Sequence, residues 1–405
     1  MSLKDQIHEL FGVKEAHELP AAVMKIVMDS EELSKVITDY RKSFPDLKQD
    51  VLRDYFQECS ADRKSFMQDY TPDGICKLVS GMAGHAASIA DLCAGTGSLT
   101  ISAWIENPEA HFTCWELSSA ALPLLLFNLA VRKIEATVVH GDLLTRETQA
   151  VYEVSDGKIC RTDQMPELMF DAVISNPPYS LKWSGEPDER FKDYPIPPKS
   201  KADFAFALVG LSMLKPDGEM IFVLPHGVLF RGSSEGKIRK KLLEEGKITG
   251  VIGLASALFA NTTIPVAVLN LKNQVNPEQD VLFIDASKTF QKQKAQNTMS
   301  DQDLETILSA WKAREPRERF AELVSMAKIV ENDYNLNIPR YVDSSEPEPE
   351  IVLLEVAEEL EKISKEIQKT ESVLAKMLKQ LTCKDDEDRK AQDILIGEFT
   401  HETDN

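Results

Sequence analysis

The sequence has little with which to cross-link itself, cross a membrane or bind by bulk positive charge. Its six cysteines (Cys59, Cys76, Cys93, Cys114, Cys160 and Cys383) are scattered through 405 residues with no Cys-x-x-Cys pair. Neither a disulfide framework nor a zinc site is therefore expected, and no metal ligands are assigned. The longest apolar run, Ala120 to Val131, is interrupted by Asn128 and falls well short of the ~20 residues of a membrane span. Met1 to Leu10 carries charges where a signal peptide is greasy, so a cytoplasmic protein with no membrane contact is expected. Basic charge is scarce as well: 46 Lys and Arg stand against 66 Asp and Glu, a net charge of −20. Such a surface repels phosphate polyanions at long range, so any nucleic-acid contact must be local or assisted by a partner.

What is present is the material of a folded chain. Hydrophobic residues at 43% and charged residues at 28% exclude a disordered or fibrous protein. Residues 1–66 repeat apolar positions at helical spacing (Val23, Ile26, Val27; Leu33, Val36, Ile37, Tyr40), which predicts a small helical domain. From Ser88 the pattern changes to short β-rich runs separated by helices: 88–93, 112–116, 136–140, 170–175, 219–224, 250–254 and 266–271. This alternation predicts an α/β fold with a parallel sheet covered by helices on both faces. Asp142–Met169 and the proline-rich Ser180–Ser200 read as long loops, the second as a mobile lid with few buried anchors. Asp333–Val342 is dense in polar and aromatic residues with no derivable role.

Residues 346–405 stand apart by charge, with 17 acidic and 8 basic side chains. They also carry a heptad: Leu353, Leu360, Ile367, Leu374 and Leu381 fall seven apart, with Val356, Ile363, Thr370 and Met377 three after the first four. A helix over about 351–381 with this stripe is suited to a coiled-coil seam against a partner helix, or to folding back on its own domain.

Four groups carry chemistry. Asp91-Leu-Cys-Ala-Gly95-Thr96-Gly97-Ser98 joins a buried strand to a helix, where glycines let a ligand approach the backbone and the helix N-terminus offers free N–H groups. Thr100 stands where a dinucleotide fold wants a third glycine, so a single nucleoside fits better than a pyrophosphate. Glu116 ends the next strand, placed to accept from ribose hydroxyls, and Asp142 ends the third, beside where an adenine would lie. Asn176-Pro177-Pro178-Tyr179 ends the fourth. Two prolines stiffen this segment, so the Asn176 amide oxygen and the Pro177 carbonyl form a pair of acceptors for an exocyclic NH2. Tyr179 can stack on the ring that bears it.

At these residues the chain resembles the S-adenosylmethionine-dependent N6-adenine DNA methyltransferases, and more narrowly the modification subunit of type I restriction-modification systems. The segments Gln68-Asp-Tyr70-Thr71-Pro, Lys201-Ala-Asp203-Phe-Ala-Phe, Leu224-Pro-His226-Gly-Val-Leu-Phe-Arg231, Leu258-Phe-Ala-Asn-Thr-Thr-Ile-Pro265 and Phe283-Ile-Asp-Ala-Ser287 are similar to that family's. The resemblance implies a Rossmann-like methyltransferase sheet over 67–345, with helical regions at 1–66 and 346–405. It implies that Gln68, Tyr70, Thr71, Thr96, Gly97 and Ser98 line S-adenosyl-L-methionine, with Glu116 on its ribose and Asp142 on its adenine. Asn176, Pro177 and Tyr179 would hold a base-flipped adenine of double-stranded DNA. His226 and Arg231 have no catalytic role there, and loop anchoring or helix capping is expected of them. The family often has phenylalanine where this chain has Tyr70 and Tyr179, a change expected to be conservative. Its N-terminal helical domain is commonly larger than residues 1–66. Implied partners are a specificity subunit seated on the terminal helix, a second methylase copy and a restriction subunit. The readings left beside this one are an RNA or protein-glutamine methyltransferase, and an assembly subunit that binds S-adenosylmethionine without catalysis.

Overall fold

The computed structural model describes residues 2–59, 70–260, 262–274, 276–294, 296–345 and 352–399. Met1–Ser344 forms one compact unit and Ser345–Asn405 a second. The expected boundary at residue 66 lies outside the described residues.

Eleven strands make one sheet: β1 (Ser88–Asp91), β2 (His111–Glu116), β3 (Ala136–Asp142), β4 (Glu147–Ser155), β5 (Lys158–Thr162), β6 (Phe170–Ser175), β7 (Leu214–Pro225), β8 (Ile248–Leu254), β9 (Val266–Lys272), β10 (Val281–Ala286) and β11 (Ala321–Val324). Their order is β11-β10-β8-β9-β7-β6-β1-β2-β3-β4-β5. The centre, β7-β6-β1-β2-β3, is parallel, as the alternation predicts. The chain runs outward from β1 to β3, then returns to lay β6 on the other side of β1. This reversal opens a crevice at the carboxyl ends of β1 and β6, where α/β sheets bind ligands.

The flanks depart from the parallel expectation. β9 runs antiparallel to both β7 and β8, because the connection 255–265 is too short for a crossover and its described residues hold no helix. Asp142–Met169 is no irregular loop: β4 and β5 form a hairpin closed by Asp156-Gly157, both with positive φ. Asp-Gly between alternating residues is a strong hairpin signal.

Helices α1 (Leu3–Phe11), α2 (Leu19–Val27), α3 (Ser30–Ser43) and α4 (Val51–Cys59) share one core with α5 (Asp73–Ala83), α6 (Ser98–Glu106), α7 (Leu122–Arg132) and α10 (Asp301–Ala313), on one face of the sheet. On the other face lie α8 (Asp203–Ser212), α9 (Ser233–Glu244) and α11 (Met326–Glu331). Neighbouring residues on a strand serve opposite cores, Ile89 and Ile174 one, Ala90 and Val173 the other, as the strand's two-residue period requires. Every residue of α7 is buried, which explains the apolar run, and its Phe127 meets Phe11 and Tyr40 edge-on at 5.1 and 5.3 Å between ring centroids.

The second unit is a pair of helices, α12 (Leu353–Lys379) and α13 (Asp386–Phe399). The heptad helix thus ends before Leu381. Gln392 of α13 donates to the carbonyls of Leu378 and Leu381, and only Ala375 of α12 is buried. The heptad leucines and isoleucines stand exposed. Among the described residues no helix is long and apolar enough to cross a membrane.

Candidate active site

Strand register sets the site. Asp91 pairs with Cys114 on β2 and with Ile174 on β6, so Glu116 and Asn176 each follow two residues beyond its partners; Glu116 pairs with His140, two before Asp142. A step of two keeps side chains on the same face. All four groups therefore reach the same edge of the sheet.

The β1–α6 loop turns on Gly95 and Gly97, with φ of 58° and 94°. A Cβ on Gly95 would also lie 3.2 Å from the Tyr70 ring. Both positions need glycine's freedom in the left-handed region. Glu116 accepts from the backbone N–H of Gly95 (2.7 Å) and of Ser118 (2.6 Å), so it closes the loop as well as facing the crevice. Burial pushes its carboxyl up to about 7, against those two bonds. Asp142 spends Oδ1 on the Leu144 N–H (2.8 Å) in the turn after β3.

A cavity of about 350 Å³ opens between these ends. Tyr70, Thr71, Gly95, Ser98, Glu116, Asp142 and Asn176–Tyr179 line it, with Trp115, Leu117, Leu144, Trp183 and Phe206 as apolar walls. Asp91, Thr96 and Gly97 lie behind the wall. Asp91 is fully buried and accepts from Thr100 (2.8 Å), while Thr96, also fully buried, turns its hydroxyl to Asp50 (3.0 Å). Gly97 packs beneath Leu125. Gln68 lies outside the described residues.

At the far end Asn176 is held on both sides of its amide. Nδ2 donates to Thr71 Oγ1 (2.9 Å), and Oδ1 accepts from the Tyr179 hydroxyl (2.5 Å). A phenylalanine could not make the second bond, so the tyrosine expected to be a conservative replacement adds a contact at the Asn176 amide oxygen. Thr71, expected on the donor, also orients the asparagine.

A buried carboxylate at one end of a cavity and a clamped amide at the other suit a nucleoside-bearing ligand facing a planar amino group. The family model for N-6 DNA methylases matches residues 44–350. The chain belongs to this family. The methylase subunit of the type I restriction enzyme MpnII from Mycoplasma pneumoniae is 28% identical over 343 residues, covering 80% of this chain and 61% of that protein. The MjaVIII methylase subunit from Methanocaldococcus jannaschii is 31% identical over 319 residues, covering 73% and 53%. The chain thus spans little more than half the length of these curated relatives. Among solved structures, the type I restriction-modification methyltransferase subunit from Streptococcus thermophilus superposes with a TM-score of 0.63 at 35% identity, covering 80% of each chain.

The other segments of this N-6 DNA methylase similar to the family's support the clamp. Asp203 accepts from the N–H of Ser180, a left-handed residue immediately after Tyr179 (2.8 Å), and is bridged by Arg231, which also grips Glu235 (2.7 Å). Arg231 therefore anchors the loop, as expected of it. His226 bonds the Val266 carbonyl (3.0 Å). Phe259 stands edge-on to Tyr179 at 6.0 Å. In the segment 333–342, Tyr341 stacks on Phe283 at 4.3 Å and Ile338 packs under Gly253. The 180–200 segment is not loosely held: Phe191 is buried, Trp183 donates to Pro198 (3.0 Å), and Arg190 to the Leu143 and Leu144 carbonyls (2.7 and 2.8 Å). Its prolines and charges mark a braced flap.

Replacing Arg231 with Met takes the bridging cation from two buried carboxylates and is expected to cost about 3–5 kcal/mol of stability. A urea midpoint equal to wild type would show the anchor to be dispensable.

Reasoning from sequence missed Asp50, Arg53 and the Asn128–Arg132 network behind the loop. One signal was there: Asn128, fully buried in a helix apolar on every side, has to find partners. They are Asp50 (2.9 Å) and the Thr96 carbonyl (2.8 Å).

Proposed function

We propose that this chain is the methylation subunit of a type I restriction-modification system, transferring the methyl group of S-adenosyl-L-methionine to adenine N6 in duplex DNA. Sequence choice would come from a separate specificity subunit. The observation that carries this reading is the Asn176 amide oxygen, oriented by Thr71 at the rim of a cavity whose other end holds the buried Glu116.

The residues suit the donor. Glu116 has lone pairs left for ribose hydroxyls beyond its two backbone bonds, Asp142 stands beside it, and the apolar walls exclude water from the reacting centre. S-adenosylmethionine would supply an electrophilic methyl: its S–CH3 bond breaks as N6–CH3 forms, the neutral thioether S-adenosylhomocysteine leaves, and the extra proton on the nitrogen passes to water afterwards, so no general base is needed at the moment of transfer. Asn176 Oδ1 and the Pro177 carbonyl accept from the two amino N–H bonds, which localises the nitrogen lone pair and aims it. Alignment within about 3–3.5 Å and these fixed acceptors carry the catalysis. The net charge of −20 and the exposed heptad face of α12 favour assembly with a DNA-reading partner; a second methylase copy and a nuclease subunit are what the resemblance to type I systems adds.

Tritiated-methyl transfer to unmethylated DNA, with and without the specificity subunit, tests the proposal when followed by mapping of the modified base. Label appearing only on RNA or on a protein amide would overturn it.

A pH dependence follows from Glu116. Its carboxyl titrates at about 7 in the free site, and hydroxyl donors on a bound ribose favour the ionised form. The bound group therefore has the lower pKa, so donor affinity should rise as pH increases toward about 7 and level off above it, higher at pH 8 than at pH 6. Glu116→Gln should bind more weakly and lose this slope. Calorimetric titrations parallel to wild type at both pH values would refute the assignment.

A further inference from the structure

The first turn of α4 reaches both halves of the site from behind. Asp50, 3% exposed, receives three side-chain donors: Thr96 Oγ1 (3.0 Å), Ser98 Oγ (2.7 Å) and Asn128 Nδ2 (2.9 Å). It also accepts from the N–H of Arg53 (3.0 Å), as a helix-capping acid does. The two hydroxyls of the donor loop thus point away from the cavity and into a buried carboxylate. Arg132 locks the arrangement by donating to Asn128 Oδ1 (2.8 Å) and to the carbonyls of Leu47 and Gln49 (both 2.7 Å). Three residues on, the buried Arg53 guanidinium donates to the Thr71 carbonyl (3.3 Å) and to Asp73. Thr71 in turn accepts from Asn176 Nδ2 (2.9 Å).

We propose that Asp50 and Arg53 are positioning residues for methyl transfer: Asp50 sets the donor loop through Thr96 and Ser98, and Arg53 sets the Asn176 amide through Thr71. The inference rests on the methyltransferase reading and adds to it that the N-terminal helices complete the site. Carboxylate–hydroxyl bonds in a buried pocket are strong and directional, so they fix where the loop's Gly95 N–H and the Glu116 carboxylate stand. A helix that holds both reactants' supports by neighbouring side chains keeps the distance between them constant.

Two readouts separate this role from general stabilisation. Asp50→Ala should weaken S-adenosylmethionine binding about tenfold, ~1.4 kcal/mol, with turnover at saturating donor little changed. Arg53→Met should do the reverse, lowering turnover about tenfold at unchanged donor affinity. The carboxylates its guanidinium bonds, Asp54 and Asp73, are half or more exposed, and Asp50 keeps its bonds from Thr96, Ser98 and Asn128, so the loss strands no carboxylate without hydrogen bonds.

The decisive experiment is a double-mutant cycle on donor affinity with Asp50→Ala and Ser98→Ala in the full chain. Where Asp50→Ala fails to fold by near-ultraviolet circular dichroism, Asp50→Asn takes its place. Ser98→Ala should weaken binding several-fold in wild type and add nothing in the Asp50 variant. Multiplying effects would mean that the Ser98 hydroxyl touches the donor itself and would overturn the proposal. So would an Arg53→Met enzyme with wild-type turnover, or one whose affinity and turnover fall together. If wild-type protein binds no donor, the methyltransferase reading falls and this one with it; if wild type binds and the variants match it, only the brace falls.

Discussion

Asn176→Ala is expected to abolish methyl transfer while leaving donor binding intact. The alanine removes the acceptor that strengthens as the amino nitrogen becomes pyramidal. Losing one fixed group of this kind typically costs about 10²–10³ in turnover. It also releases Tyr179 and Thr71 from the amide, so the target ring loses its orientation and the deficit should exceed that figure. The donor should still bind, because Glu116 and the Gly95 loop belong to other strands and keep their own bonds. Single-turnover methylation of DNA beside calorimetry of S-adenosylmethionine gives both readings. Transfer at the wild-type rate would remove Asn176 from the mechanism.

Deleting residues 346–405 should leave the donor site unaltered and eliminate assembly with the specificity subunit, and with it methylation of DNA. Leu360, Ile367 and Met377 of α12 are 60%, 51% and 62% exposed. Such a stripe costs about 25 cal/mol for each Å² of apolar area left in water, a penalty that a partner helix removes. The stripe keeps the seven-residue period that knobs-into-holes packing requires. Sizing the truncated protein with the specificity subunit decides the matter. A complex of normal size with full activity would show that the stripe has no partner to meet there. A gentler variant, Ile367→Glu, should weaken the complex without disturbing a helix already solvent-exposed at that point.

Much of the site is legible in the sequence because strand ends obey register. Asp91, Glu116, Asp142 and Asn176 each close a β-rich run, and a parallel sheet has to bring such ends to one edge. The sequence does not reveal which way a side chain turns once there. Thr96 and Ser98 sit on the loop as a ligand-binding pair would, yet both bond Asp50, an acid that reads in isolation as an ordinary helix cap. The flanks were misread for a different reason. Counting apolar runs finds β9 but not its direction, which depends on the length of 255–265, and the β4–β5 hairpin was hidden by its polar outer face despite Asp156-Gly157. The heptad of the tail identifies α12 but not the turn at 380–385 that sends α13 back.

The bond from the Tyr179 hydroxyl to Asn176 leaves the resting acceptor half occupied. The amide oxygen carries two lone pairs and the hydroxyl takes one, so an incoming amino N–H either joins it on the second or trades places with it. The trade is close to even for a ligand whose N–H falls where the hydroxyl hydrogen was, and losing for one that arrives tilted or carries no hydrogen to give. The phenol ring already lines the cavity, so the surface that stacks and the atom that accepts lie side by side. In the proposed function Tyr179 is thus both the stacking platform and a competing donor at the amide oxygen, which favours flat ligands that bear an amino group.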